Sequence, residues 1–246
     1  MKLGRIAVGI GFACALLAGN AEASVTIGGT RVVYPLDQRE VTVKLDNDSK
    51  LPSLVQVWMD DGHPDAKPGD IKVPFVITPP IFRMDANKSQ TLRVMYSGEA
   101  LPTDRESVYW LNVLDIPPKA AGMTDANTLQ LAYRTRVKVF VRPAKLPGKP
   151  EDAAAQLGWK IAVAPDGKGE ALSVSNPTPY YVSCSEVDVE SGGHTYRNEK
   201  GGMVAPRATE VLPVAQMSAV PAGAKVHYTA ISDYGGAITG DATLDQ

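Results

Sequence analysis

The sequence predicts an all-β protein built as two β-sandwiches in tandem, and three observations carry that prediction. Apolar and polar residues alternate along most of the chain, with Val, Leu, Ile and Tyr at the apolar positions, residue types suited to a half-buried pleated surface. Turn-forming clusters interrupt the alternation at the short spacing of sandwich strands, and no amphipathic helix longer than a turn or two is legible. A proline- and glycine-rich stretch, Pro143 to Asp152, has the composition of a connection between domains.

The elements follow in order. Lys2 and Arg5 precede an apolar run, Ile6 to Ala18, that ends in Ala21-Glu22-Ala23. This reads as a secretory leader over residues 1–23, cleaved before Ser24. The run is shorter than the roughly 20 apolar residues of a membrane span, so a soluble product without membrane insertion is expected. Val41, Val43, Leu45, then Val55, Val57, then Leu92, Val94, Tyr96 mark strands of a first domain, residues 24–145. Asn47-Asp48, Asp61-Gly62-His63-Pro64, Pro79-Pro80 and Pro117-Pro118 break them. A second domain, residues 146–246, opens with Trp159, Ile161, Val163, continues through Leu172, Val174 and Tyr181, and closes with Val226, Tyr228, Ala230.

One strand stands apart. Thr128 to Val141 alternates without a break at the end of the first domain. At about 3.3 Å per residue it would be near 45 Å long, more than one sandwich covers. Period-two geometry puts Leu129, Leu131, Tyr133, Thr135 and Val137 on one face and Lys138 on the other. An apolar row running past its own core is a hazard that proteins ordinarily blunt. The ordinary reading is a long closing strand; the functional one is strand addition to a partner whose sheet is incomplete.

Chemistry is hard to find. His63, His194 and His227 lie far apart without metal-ligand spacing, and no nucleophile elbow, phosphate loop or paired carboxylates appear. No catalytic residue, cofactor or metal is expected, and the chain reads as a non-enzyme. A net charge of −2 gives no reason to propose nucleic acid as a partner. Once Cys14 leaves with the leader, Cys184 remains alone, without an internal disulfide and with the pattern of a buried thiol.

Several motifs together resemble the periplasmic pilus (fimbrial) assembly chaperones of the chaperone-usher pathway. They are Thr30-Arg31-Val32-Val33-Tyr34-Pro35, Thr78-Pro79-Pro80-Ile81-Phe82-Arg83, Arg105 to Asn112 with Ile116-Pro117-Pro118, and Lys138 to Pro143, then Asn176 to Val182 and Asp233-Tyr234-Gly235-Gly236. The resemblance spans nearly the whole chain after the leader. It implies two Ig-like sandwiches in a boomerang arrangement and location in the periplasm. It also implies pilus subunits and an outer-membrane usher as partners, and admits self-association of the free protein. By motif position, Arg31 and Lys138 would bind the carboxylate at a subunit's C-terminus, Leu129, Leu131 and Tyr133 would fill its missing-strand groove, and Glu106, Arg142 and Asp233 would form a charge network between the domains. Tyr133 departs from the aliphatic residue that many relatives carry. The short, cysteine-free stretch from Lys119 to Asn127 resembles the short-loop subgroup. An alternative from another class is a structural or adhesive Ig-like surface protein, or a pilus subunit itself.

Overall fold

The computed structural model describes residues 25–119, 130–164, 167, 169–214, 217, 220 and 223–245; the leader, Ser24, Leu129 and most of the stretch after Lys119 lie outside them. The alternating runs of the first half become β1 (Val25–Ile27), β2 (Arg31–Pro35), β3 (Glu40–Asn47), β4 (Ser53–Asp60), β5 (Phe75–Thr78), β6 (Ile81–Met84), β7 (Ser89–Tyr96), β8 (Ser107–Ile116) and β9 (Tyr133–Arg142). They form two sheets, in the orders β1-β3-β7-β5 and β2-β9-β8-β4-β6. Inward residues of both sheets, among them Leu45, Val55, Leu92 and Leu111, are fully buried. Each such side chain contributes roughly 1.5 to 3 kcal/mol. Tyr34 joins them, its phenolic oxygen accepting the Tyr96 N–H at 3.1 Å and facing the carbonyls of Gln38 and Arg39.

Past the connection, β10 (Gly158–Val163), β11 (Glu170–Asn176) and β15 (Ala208–Pro213) form one sheet. A second contains β13 (His194–Asn198), β12 (Val182–Ser191), β16 (Lys225–Ile231) and β17 (Ala237–Thr243), with β14 (Gly202–Val204) also on β12. Trp159 stacks on Tyr228 at 5.7 Å in their shared core. The expected closing strand is followed by one more, β17. Its Ala-Ile-Thr-Gly-Asp-Ala-Thr sequence is poor in large apolar residues because it is an edge strand with no fully buried position. Among the described residues helix is confined to two single 3-10 turns, Pro150–Asp152 and Ala154–Gln156, within and just after the connection. The connection is tied down: Leu146 packs against the second core, and the Tyr180 hydroxyl donates to the Gly148 carbonyl at 3.1 Å.

The two sandwiches reuse one polar corner. Asn47 Nδ2 donates to the carbonyls of Leu51, Met84 and Asp85, while its Oδ1 accepts the N–H and hydroxyl of Ser49. Asn176 does the same with Tyr180, Val204, Ala205 and Thr178. An asparagine followed two positions on by a hydroxyl residue satisfies a buried turn that would otherwise leave several carbonyls unpaired.

Strand β9 corrects the sequence reading. It starts at Tyr133, not Thr128, and Gln130 to Ala132 lie outside any strand. Antiparallel pairing with β8 runs from Tyr133↔Asp115 to Val141↔Ser107. Parallel pairing with β2 covers only Lys138 to Arg142, beginning at Arg31↔Lys138. Among the described residues, the strand from Tyr133 to Val137 therefore has a neighbour on one side and an open edge on the other, about 16 Å long.

Candidate functional site

Period two gives β9 two faces with different duties. Val137, Val139 and Val141 enter the first core, while Tyr133 and Thr135, earlier in the same row, stay exposed. Leu131, just before the strand, is 51% exposed and Tyr133 61%. The row thus passes from solvent to core at Val137, 8% exposed. On the opposite face stand Arg134, Arg136, Lys138, Phe140 and Arg142, all partnered differently.

Lys138 and Arg31 are cross-strand neighbours at the point where β2 meets the open edge. Arg31 donates from Nη1 to the Ile231 carbonyl at 2.9 Å and its guanidinium lies 5.6 Å from the Phe140 ring centre. Its Nε is buried without a hydrogen-bond partner. Among the described residues Lys138 Nζ reaches only the Ser183 hydroxyl, at 3.2 Å. Among the described residues neither cation makes an ion pair. Burial pulls Lys138 below the ordinary lysine value, and the neighbouring Arg31 charge adds to that. Burial likewise lowers Arg31, against the pull of Asp233. Two half-buried cations that make no ion pair among the described residues and keep N–H donors to spare form a site suited to a carboxylate. Sequence reasoning missed Ser183 and Phe140 here, since their roles depend on the packing of one domain against the other.

Glu106, Arg142 and Asp233 come together at the domain junction. Arg142 donates from Nε to Glu106 Oε1 at 2.6 Å and grips Asp233 through Nη1 and Nη2 at 2.7 and 2.9 Å. Glu106 takes the Tyr181 N–H at 2.8 Å, and its own N–H donates to the Pro179 carbonyl at 2.9 Å. The Asn176 corner holds the turn that presents both backbone groups. Burial pushes the Glu106 carboxyl up, against the pull of Arg142 and Tyr181. Arg142 is buried too, but its two carboxylates outweigh burial and raise it. Gly235, at φ 82°, packs on Thr30 so closely that a Cβ would lie 2.6 Å from the threonine hydroxyl. The turn bearing Asp233 is thereby seated on the first domain beside Arg31.

Cys184 is free and buried, its thiol pushed up to about 11 by burial despite the Lys138 charge. His227 sits on the surface between Asp241 at 2.5 Å and Glu190 at 3.3 Å. Among the described residues no group of three His, Cys, Asp or Glu side chains is placed to hold a metal.

The model of the PapD N-terminal domain, described as a pili and flagellar-assembly chaperone, matches residues 24–147, and that of the C-terminal domain of the pili assembly chaperone PapD matches residues 152–242. The chain is 46% identical over 234 residues to the probable fimbrial chaperone YadV of Escherichia coli (strain K12), covering 94% of each. With the chaperone protein FimB/FhaD of Bordetella pertussis it shares 44% identity over 241 residues, 96% of this chain and 93% of that one. The crystal structure of the YadV chaperone superposes with a TM-score of 0.77 at 44% identity, covering 90% of this chain and all of that one. The Salmonella enterica SafB chaperone in complex with the SafA pilin gives a TM-score of 0.75 at 28% identity, with 92% and 99% covered.

Proposed function

The chain belongs to the PapD family of pilus-assembly chaperones and binds pilus subunits during assembly, and from that premise we propose that it does so by lending the open edge of β9 to a subunit whose C-terminal carboxylate is held by Arg31 and Lys138. One observation carries the proposal: the open edge ends at two cations that make no ion pair among the described residues. Direction follows from geometry. Because β2 covers the edge from Lys138 onward, a strand ending at the cations can extend only back toward Tyr133, and so runs parallel to β9. Main-chain bonds along Val137 to Tyr133 supply affinity, and Leu131, Tyr133 and, in the undescribed stretch, Leu129 supply side chains for the subunit's groove. A strand added with its end unpaired would bury a carboxylate at several kcal/mol of desolvation cost, which two fixed cations offset.

On this reading Glu106, Arg142 and Asp233 hold the second domain against β2 and β9 so that the anchor is formed before the subunit arrives. The protein works by binding, without chemistry, in the periplasm, and passes its subunit to an outer-membrane usher. The 28% identical SafB chaperone, solved with a pilin, supports a subunit as the occupant. Hydrogen exchange with a bound pilus subunit tests the edge. The edge-facing amides among Tyr133 to Val137 should slow strongly while those of Lys138 to Arg142, already between two strands, change little. Protection that spares Tyr133 to Val137 would remove the proposal.

A further inference from the structure

Asp60, at the end of β4, is buried and collects four hydrogen bonds. Arg136 donates from Nε to Oδ2 at 2.9 Å and from Nη2 to Oδ1, Asn112 Nδ2 donates to Oδ2 at 2.7 Å, and the Gly62 N–H donates to Oδ1 at 2.8 Å. The Arg136 guanidinium lies over the Trp110 ring at 4.6 Å, and Gly62, at φ 115°, covers that ring so closely that a Cβ would meet it at 3.2 Å. Burial raises the Asp60 carboxyl, but the bonds from Arg136, Asn112 and Gly62 outweigh it and leave it below the ordinary value. Asp60 is thus charged at neutral pH and neutralises Arg136.

Arg136 stands two residues before Lys138 on the same face of β9. A register slip of one residue would turn every side chain of an added strand to the wrong face and is excluded by the apolar pattern. A slip of two, about 6.6 Å, keeps each apolar residue on its face and moves the terminal carboxylate from Lys138 to Arg136. Hydrophobic packing alone discriminates poorly against it. Charge discriminates well, provided that Arg136 is already spoken for.

We propose that Asp60 determines the register of the captured subunit: by pairing with Arg136 it withdraws that cation from the carboxylate in favour of Arg31 and Lys138, and so rejects the two-residue slip. This rests on the strand-and-anchor reading above. Specificity here comes from removing an alternative site, in addition to building the correct one.

The test uses an octapeptide of alternating valine and serine with a free C-terminal carboxylate and a benzophenone amino acid fifth from its end. Photo-crosslinks are mapped by mass spectrometry on the full chain. The wild-type protein should give crosslinks centred on Arg134, at least about tenfold over those two residues earlier at Ala132. Asp60→Asn should bring the two sites within about threefold of each other, and Asp60→Asn with Arg136→Met should restore the single site, which a merely structural role of Asp60 would not do. Lys138→Met with Asp60 intact should lose the peptide without moving the crosslink to Ala132. A single register in folded Asp60→Asn, two registers in the double variant, or recapture at Ala132 in Lys138→Met would overturn the proposal. If the amidated peptide binds wild-type protein as well as the free acid, the anchor reading itself has failed, a distinct result.

Discussion

At the scale of residues, the proposed anchor is defined by what Arg31 and Lys138 lack. Each is partly desolvated and neither makes an ion pair among the described residues, so both carry an electrostatic cost that a carboxylate would relieve. Removing one leaves the other to hold the carboxylate alone. Arg31→Ala and Lys138→Ala should each lose most subunit binding, and the double variant little more, giving a coupling energy of about 1 to 3 kcal/mol in a double-mutant cycle. Additive losses would show two independent contacts. The pH dependence has a definite sign. The free-state Lys138 pKa is lowered, and a bound carboxylate favours the protonated lysine and raises it again. Binding therefore takes up a proton at alkaline pH, and affinity should fall as pH rises through the lowered free-state value, below the ordinary lysine range. Lys138→Met should abolish that limb of the profile.

The element that matters most is β9, and it shows how far sequence reaches. Alternation identified its apolar row and put Lys138 on the other face, and motif position singled out Arg31, Lys138, Glu106, Arg142 and Asp233 although they lie far apart in sequence. The start of the strand was not legible, because alternation continues through Leu131 and Leu129 whether or not a neighbour pairs with the backbone. Nor was the partnership of Asp60 with Arg136 legible, 76 residues apart, although Arg134, Arg136 and Lys138 at period two on one face were a readable sign that these cations needed different partners. The exposed and buried ends of the row predict opposite mutational outcomes. Leu131→Glu should leave thermal stability within about 0.5 kcal/mol of wild type while weakening subunit capture. Val137→Glu places a charge in the first core and should prevent folding. Collapse of Leu131→Glu in a thermal melt would assign that residue to the internal core.

At the scale of the whole molecule, two sandwiches with separate cores are linked by a largely buried charge network, and on the proposed reading it makes them one binding body. Glu106 belongs to the first domain but takes the Tyr181 N–H of the second, while Arg142 extends the same link to Asp233. Truncating a buried partner leaves the others uncompensated, at about 3 to 5 kcal/mol. Glu106→Ala should therefore split a single calorimetric transition into two, and broaden the interdomain angle seen by small-angle scattering. A single unshifted transition would show that the network is dispensable. The central claim is that the open edge of β9 ends at a terminal-carboxylate site, and it is tested most directly by measuring affinity for one strand peptide as its free acid and as its C-terminal amide. The amide keeps every main-chain and side-chain contact along Tyr133 to Val137 and deletes the one charge that Arg31 and Lys138 receive. The account predicts that amidation weakens binding at least about tenfold in the wild-type protein, and far less in Arg31→Ala or Lys138→Ala; equal affinity of acid and amide for the wild-type protein would contradict it.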